Sequence, residues 1–196
     1  MTTRFIQLVG SGGALTLLAG VCFAQTTFFS EDFDERTTGV LHNQNAWAAH
    51  RQNDAQVQSA TRFAGTQAAL VATNAVVWHN FSDATATNVW IDFYAYVTHP
   101  TDDSAPDLNG SVAGAFFVGT HGVIHALSNT TWVTMATTVP SNTWRRFTVN
   151  LDYNSSDWSL YVASDVPNAL SSVVATNLKF TSSSTNTYFK RFRMKN

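Results

Sequence analysis

The sequence predicts an all-β fold in which antiparallel strands form two packed sheets. Charged residues make up only 12% of the chain, about half of the usual share near 25%, and Ser, Thr and Asn supply much of the polarity instead. Short apolar runs alternate with clusters of turn residues after residue 24, which is typical of a sandwich or barrel. Beyond that point, no window shows convincing helical periodicity.

The apolar runs place the predicted strands, and the clusters between them place the turns. Suitable turn chemistry occurs at 119–122, 140–142 and 154–157, and the last of these joins two alternating runs as a hairpin. The segment 45–55 could form a short helical turn. The predicted strands are 28–33, 56–61, 68–72, 76–81, 88–98, 112–118, 123–127, 131–138, 143–153, 158–163, 173–180 and 188–194.

Two of these strands, 88–98 and 143–153, reveal which side faces the core, because side chains alternate across a strand. The aliphatic sides must meet across a core, whereas the polar and aromatic sides look outward or line a concave sheet. The predicted core-facing residues are Val89, Ile91, Phe93, Ala95, Val97, Phe147, Val149 and Leu151. The opposite side carries Trp90, Asp92, Tyr94, Tyr96, Trp144, Arg146, Thr148, Asn150 and Asp152.

The N-terminal 24 residues predict a signal peptide. Arg4 precedes an apolar stretch, and Cys22 and Ala24 put small residues at the positions that determine cleavage, so residues 25–196 form the expected mature domain. We therefore expect a secreted protein, extracellular or periplasmic, without stable membrane insertion after cleavage. An uncleaved anchor is the alternative. The chain has one cysteine, which leaves with the leader, so the mature domain must rely on its core.

Net charge indicates which partners to expect. A formal charge of -2 at pH 7 provides no field for nucleic acid or for anionic lipid. The one basic cluster, at 190–195, alternates along the last predicted strand and is better suited to protecting a sheet edge than to binding phosphate.

Several segments resemble the concanavalin A-like lectin and glucanase superfamily, which includes laminin-G-like modules. They are 29–33 (Phe-Ser-Glu-Asp-Phe), 89–94 (Val-Trp-Ile-Asp-Phe-Tyr), 117–124, 144–153 and 158–162 (Trp-Ser-Leu-Tyr-Val). The resemblance implies an antiparallel two-sheet jelly-roll sandwich. It does not select a chemistry, because the superfamily contains sugar binders, glycoside hydrolases, polysaccharide lyases and adhesion modules.

Candidates for catalysis are sparse. Glycoside hydrolysis needs a pair of carboxylates. Two acidic residues at alternate positions of one strand would supply the pair, because alternate side chains lie on the same face of the sheet. The segment 31–35 resembles the Glu-x-Asp-x-Glu pattern of the glucanases, but Phe33 occupies its middle acidic position. The acidic residues of this segment are therefore better interpreted as solvated charge near a turn. Asp92 and Asp152 are each the only carboxylate on their face of the strand. His121 and His125 have a metal-like spacing but lie in a predicted hairpin. A lyase could combine Tyr94, Arg146 and His125. On balance the sequence argues against an enzyme.

An acidic loop lies between two predicted strands and offers oxygen ligands. Asp102, Asp103 and Asp107, with Asn109 nearby, could hold calcium, and the resemblance implies calcium near sheet rims. A solvated loop has the same composition, so calcium stays one of two interpretations.

The aromatic side of the 88–98 strand is the best candidate for a ligand site. Trp90 and Tyr94 could stack on the C–H faces of sugar rings, while Asp92 and Arg146 could bind hydroxyls. The alternatives are that these rings simply pack and that Asp92 and Arg146 pair with each other. We therefore expect a non-enzymatic module for a glycan or another extracellular ligand. A structural or adhesive protein without a small-molecule site and a carbohydrate-active enzyme are the other possibilities.

Overall fold

A computed structural model describes residues 4–7, 27, 29–81, 85–108, 112–164, 169–181 and 187–196, with the backbone alone for 4–7. Fourteen strands run through this part of the chain. They are Arg4–Gln7 (β1), Gly39–Val40 (β2), Trp47–Ala49 (β3), Ala55–Gln58 (β4), Ala68–Val71 (β5), Val76–Asn80 (β6), Asn88–Val97 (β7), Phe116–Val118 (β8), Val123–Ser128 (β9), Thr131–Thr138 (β10), Thr143–Asp152 (β11), Asp157–Ala163 (β12), Ser172–Lys179 (β13) and Arg191–Lys195 (β14). Short 3₁₀ turns form at Gln52–Asp54 and Thr120–Gly122. Among the described residues, no helix has the length and apolarity needed to cross a membrane.

The strands form three antiparallel sheets. The large sheet has the order β13-β12-β11-β7-β1-β5-β4-β2, and two smaller sheets have the orders β10-β9-β8 and β14-β6-β3. The centre of the large sheet is the pair of ten-residue strands β7 and β11, which are in register along their whole length from Thr143 opposite Val97 to Asp152 opposite Asn88.

One hydrophobic core joins all three sheets. Residues of the large sheet share it with Trp47 and Val77 of one small sheet and with Ile124 of the other. The ring of Phe93 in β7 lies 6.4 Å from Phe116 of β8 and 5.2 Å from Phe192 of β14, measured between ring centroids. One edge strand of each small sheet, β8 and β14, therefore flanks the same ring, and together the small sheets form a second layer over the large one.

The structure confirms the all-β class and the assignment of faces. Val89, Phe93, Phe147 and Leu151 are all buried in the core, and the predicted hairpin at 154–157 joins β11 to β12 with Asp152 opposite Asp157. Other expectations differ from the structure. The second layer is split into two sheets, because β8 pairs only with β9 and β14 only with β6 among the described strands. The 45–55 segment contains β3 as well as a 3₁₀ turn.

The predicted leader contributes a strand to the full-length chain. β1 pairs with β5 on one side, with Phe5 opposite Leu70, and with β7 on the other, with Phe5 opposite Tyr96. Residues 1–3 and 8–26 lie outside the described residues, including Cys22 and the expected cleavage position. Cleavage before Gln25 would remove β1, so the facing edges of β5 and β7 would lose their shared partner.

The 28–33 segment forms no strand in its described part, 29–33, because it is organised around a buried carboxylate. Glu31 is 2% exposed, which shows that solvated charge is the wrong interpretation for this residue. Its Oε1 accepts hydrogen bonds from the backbone N–H of Phe33 at 3.0 Å and from Arg36 Nε at 3.2 Å. Its Oε2 accepts from Asn45 Nδ2 at 2.9 Å and from Trp47 Nε1 at 3.3 Å. Glu35, by contrast, is exposed as expected.

Candidate functional site

The four residues predicted to bind ligand lie on one side of the large sheet. In the pairing of β7 with β11, Trp90 stands opposite Asn150, Asp92 opposite Thr148 and Tyr94 opposite Arg146. Residues directly opposite in an antiparallel pair point to the same side of the sheet. The opposite side carries Phe93 and Phe147 into the core, so this second side is the outer face of the sheet.

Asp92 and Arg146 pair with each other, which was the alternative to a ligand-binding role. Arg146 Nε donates to Asp92 Oδ1 at 2.8 Å and to Oδ2 at 2.9 Å, and its Nη2 donates to Oδ2 at 2.7 Å. Thr148 Oγ1 adds a hydrogen bond to Oδ1 at 2.8 Å. The hydrogen bonds that Arg146 donates to Asp92 raise the pKa of the Arg146 guanidinium, against the opposing effect of burial. Both side chains stay partly exposed, at 20% for Arg146 and 18% for Asp92.

Tyr94 is covered by a loop and does not present its ring to solvent. Phe63, from the connection between β4 and β5, stacks on it with ring centroids 3.8 Å apart and planes 15° apart. Tyr94 packs in a small cluster with Ala68 and Trp144. Burial raises the pKa of the Tyr94 hydroxyl. The Tyr94 ring therefore packs within the protein and is not available to stack on a ligand.

Trp90 remains open, with 48% of its surface exposed. Its ring lies 5.9 Å from that of Tyr161 in β12, with the two planes 33° apart. Val173 of β13 stands opposite Tyr161 and is also exposed. We call Trp90, Tyr161 and Val173 the Trp90 platform. It spans β7, β12 and β13 across the outer face of the sheet.

Strand β11, which carries polar side chains on this face, lies between the strands that carry the two rings of the Trp90 platform. Thr148 stands opposite Tyr161, and Asn150 stands opposite Trp90. Asn150 Nδ2 donates to Asn88 Oδ1 at 2.8 Å, and among the described residues the Nδ2 group of Asn88 and the Oδ1 group of Asn150 are available for other partners. The arrangement combines apolar ring faces with amide groups that can both donate and accept hydrogen bonds.

The residues proposed as calcium ligands are used in separate local contacts. Asp102 Oδ1 accepts from the backbone N–H of Ser104 at 2.9 Å, and Asp103 Oδ2 accepts from Thr120 Oγ1 at 2.8 Å. These contacts, with further hydrogen bonds from the same two residues, hold the pKa of each carboxyl below its usual value. Asp107 is exposed, and Asn109 lies outside the described residues. In the part of the chain that the structure describes, no three His, Cys, Asp or Glu side chains gather as metal ligands.

The histidines weighed for chemistry are not grouped with the outer face. His125 belongs to β9 in the other layer, where it stacks on Phe117 at 4.6 Å and contacts Thr134 Oγ1 through Nδ1 at 3.3 Å. His121 sits in the adjoining 3₁₀ turn with a φ of 57°. Tyr94 and Arg146, on the outer face, therefore do not converge with His125 as a lyase would require.

One residue that the sequence analysis passed over stands out in the structure. Arg145 lies between Trp144 and Arg146 in β11, so it points to the core side, and its Nε is buried without a hydrogen-bond partner among the described atoms. The alternation of the strand could have signalled it, since an arginine at a core-facing position is unusual.

Comparisons with known proteins give no further guide to this site. No family model matches the chain, and no match was found among curated proteins or solved structures.

Proposed function

We propose that the protein is a secreted, non-enzymatic module that binds carbohydrate or another extracellular ligand on the Trp90 platform. The observation that carries this proposal is the 48% exposure of Trp90 beside Tyr161. Half-exposed aromatic rings on a sheet face offer a large apolar surface at little entropic cost, because their backbone is already fixed.

Sugar recognition suits the chemistry of this face. The C–H faces of a pyranose ring stack on an indole or phenol ring, and hydroxyl groups need partners that donate and accept. Asn88, Asn150 and Thr148 lie within and beside the Trp90 platform and supply such groups. The Asp92–Arg146 pair fixes the neighbouring part of the face, so a ligand would meet a surface that is largely pre-formed.

The resemblance to concanavalin A-like domains supports the same proposal. Two packed antiparallel layers, one of them built around long central strands, are compatible with a jelly-roll sandwich. We propose that fold as the finer description. Calcium at the 102–107 loop stays a proposal of lower weight, because Asp102 and Asp103 already bind their own loop and the 3₁₀ turn.

The structure offers fewer observations in favour of a hydrolase or of a structural or adhesive protein. A hydrolase would need two carboxylates that face each other across a substrate, and both oxygens of Asp92 already accept hydrogen bonds from Arg146 and Thr148. A structural or adhesive role would leave the Trp90 platform as an ordinary surface feature. Glycan binding by the purified protein separates these possibilities.

Trp90→Ala is expected to weaken glycan binding about tenfold or more, which corresponds to about 1.4 kcal/mol. Its cost in unfolding free energy should stay within about 1 kcal/mol, since a half-exposed ring loses little burial. Glycan-array binding and urea unfolding of the purified variants measure both effects. Trp78→Ala is the matched control, because Trp78 is a partly exposed tryptophan of β6 in the other layer. Unchanged binding by folded Trp90→Ala would remove the Trp90 platform as the site.

The exported protein is expected to begin at Gln25, because the charged, apolar and small-residue segments follow the order of a signal peptide. Intact-mass measurement and N-terminal sequencing of protein from the medium or periplasm test this directly. A retained Met1 on the exported protein, or a pool confined to the cytoplasm, would contradict both the cleavage and the proposed location.

A further inference from the structure

Arg145 lines a pocket on the core side of the large sheet. Arg145 stands opposite Ala95 of β7, whose small side chain is buried and leaves room for the arginine stem. The next core-facing position along β11 is Phe147. The arginine thus occupies the place on this strand where the apolar core gives way to a pocket with both polar and apolar lining residues.

The pocket has a volume of about 230 Å³ and opens to solvent, where Thr138, Pro140 and Ser172 of its lining are exposed. A single buried water needs only about 10–15 Å³ on the same kind of measure, so the space takes a polyatomic ligand together with water. Among the described residues that line the pocket, four carry hydroxyl groups and none is acidic. The lining residues are Thr137, Thr138, Val139, Pro140, Arg145, Val162, Ala163, Ser164 and Ser172.

The charge of Arg145 is unmatched within the described residues. Their ion pairs use Arg36, Arg146 and Lys179, and none of these involves Arg145. The Nε atom is buried and has no acceptor there. A buried polar group without a hydrogen bond carries a free-energy cost, and the cost is greater for a charged group. An acceptor bound beside Arg145 in the pocket would give its charge a partner.

We infer that the Arg145 pocket is a binding site for a small oxyanion group, of the sulfate or carboxylate type. A guanidinium presents donors in a planar fork that matches two oxygens of such a group. The hydroxyl groups of Thr137, Thr138, Ser164 and Ser172 would bind the remaining oxygens. The anion could be free in solution or be part of an acidic or sulfated sugar.

This site is separate from the Trp90 platform. Arg145 points to the core side of β11, whereas Trp90 and its partner Asn150 point to the outer side. The two sites therefore succeed or fail independently. Asp165 follows Ser164 in the sequence and lies outside the described residues, so the experiment must test it as an internal counter-ion of Arg145.

Isothermal titration calorimetry of the purified protein with sodium sulfate, at constant ionic strength, tests the inference. We expect saturable binding with a Kd of about 1 mM or tighter, and a loss of about tenfold or more in Arg145→Gln, which removes the charged donors. Glucuronate and glucose 6-sulfate are titrated in parallel. Tighter binding of a sugar acid than of inorganic sulfate identifies a glycan as the source, and equal binding identifies a free ion.

Two control variants make the result decisive. Arg193→Gln removes the same charge from an exposed position of β14 and should leave sulfate binding unchanged. Absence of saturable binding to the unaltered protein would overturn the inference without requiring any variant to fold. Binding that persists within about twofold in Arg145→Gln would also overturn it, and so would binding that appears only in Asp165→Asn, since the pocket would then be neutralised by the chain itself.

Discussion

Glu31→Ala is expected to lower the free energy of unfolding by about 3–5 kcal/mol, the range for breaking a buried ion pair by removing one partner. Glu31 is 2% exposed, and its two oxygens accept from Phe33, Arg36, Asn45 and Trp47. Without the carboxylate, the indole N–H of Trp47 and the amide of Phe33 lose acceptors in a site that water does not reach. Phe33 also holds a φ of 68°, a conformation that a phenylalanine adopts only when its surroundings require it.

Glu35→Ala is the matched control for Glu31→Ala, because Glu35 lies in the same segment and is exposed. Its effect should fall within about 0.5 kcal/mol. Urea unfolding followed by tryptophan fluorescence measures both variants, with an unchanged m-value showing that the denatured state is comparable. A cost below about 1 kcal/mol for Glu31→Ala would mean that this carboxylate does not organise the 31–47 loop.

The sequence was sufficient for the parts of the fold that depend on local alternation. The side-chain pattern of 88–98 and 143–153 assigned Phe93 and Leu151 to the core and Trp90 and Arg146 to the other face, and the structure confirms both assignments. Turn chemistry at 154–157 gave the hairpin, because its Asn, Ser and Asp residues lie between two alternating runs. These features need no knowledge of distant segments.

Features that depend on distant partners could not be read from the sequence. Glu31 is buried because Asn45 and Trp47 approach it across the loop, and nothing in the 31–35 segment alone distinguishes it from Glu35. Tyr94 is covered because Phe63 reaches it from the β4–β5 connection. Trp90 and Tyr94 share a strand face, so only the position of that loop separates an open ring from a packed one.

Leu151→Ala is expected to cost about 2–5 kcal/mol of unfolding free energy, the range for truncating a buried leucine. Leu151 is 4% exposed and belongs to the core that joins the three sheets. Its position favours the upper part of that range, because the cavity could not refill easily. A Cβ at Gly114 would lie 3.2 Å from Leu151 Cδ2 and 2.9 Å from the Trp158 ring. The backbone of Gly114 therefore packs directly against Leu151, and glycine has no side chain that could move into the space left by the truncated leucine.

Leu170→Ala provides the matched control for Leu151→Ala, since it makes the same chemical change at a leucine that is 94% exposed. It should alter the unfolding free energy by no more than about 0.5 kcal/mol. Chemical denaturation of the two variants beside the unaltered protein gives the comparison. A loss below about half a kcal/mol for Leu151→Ala would invert the assignment of faces. The Trp90 platform would then lie on the core side, and the proposed ligand site would have no accessible surface.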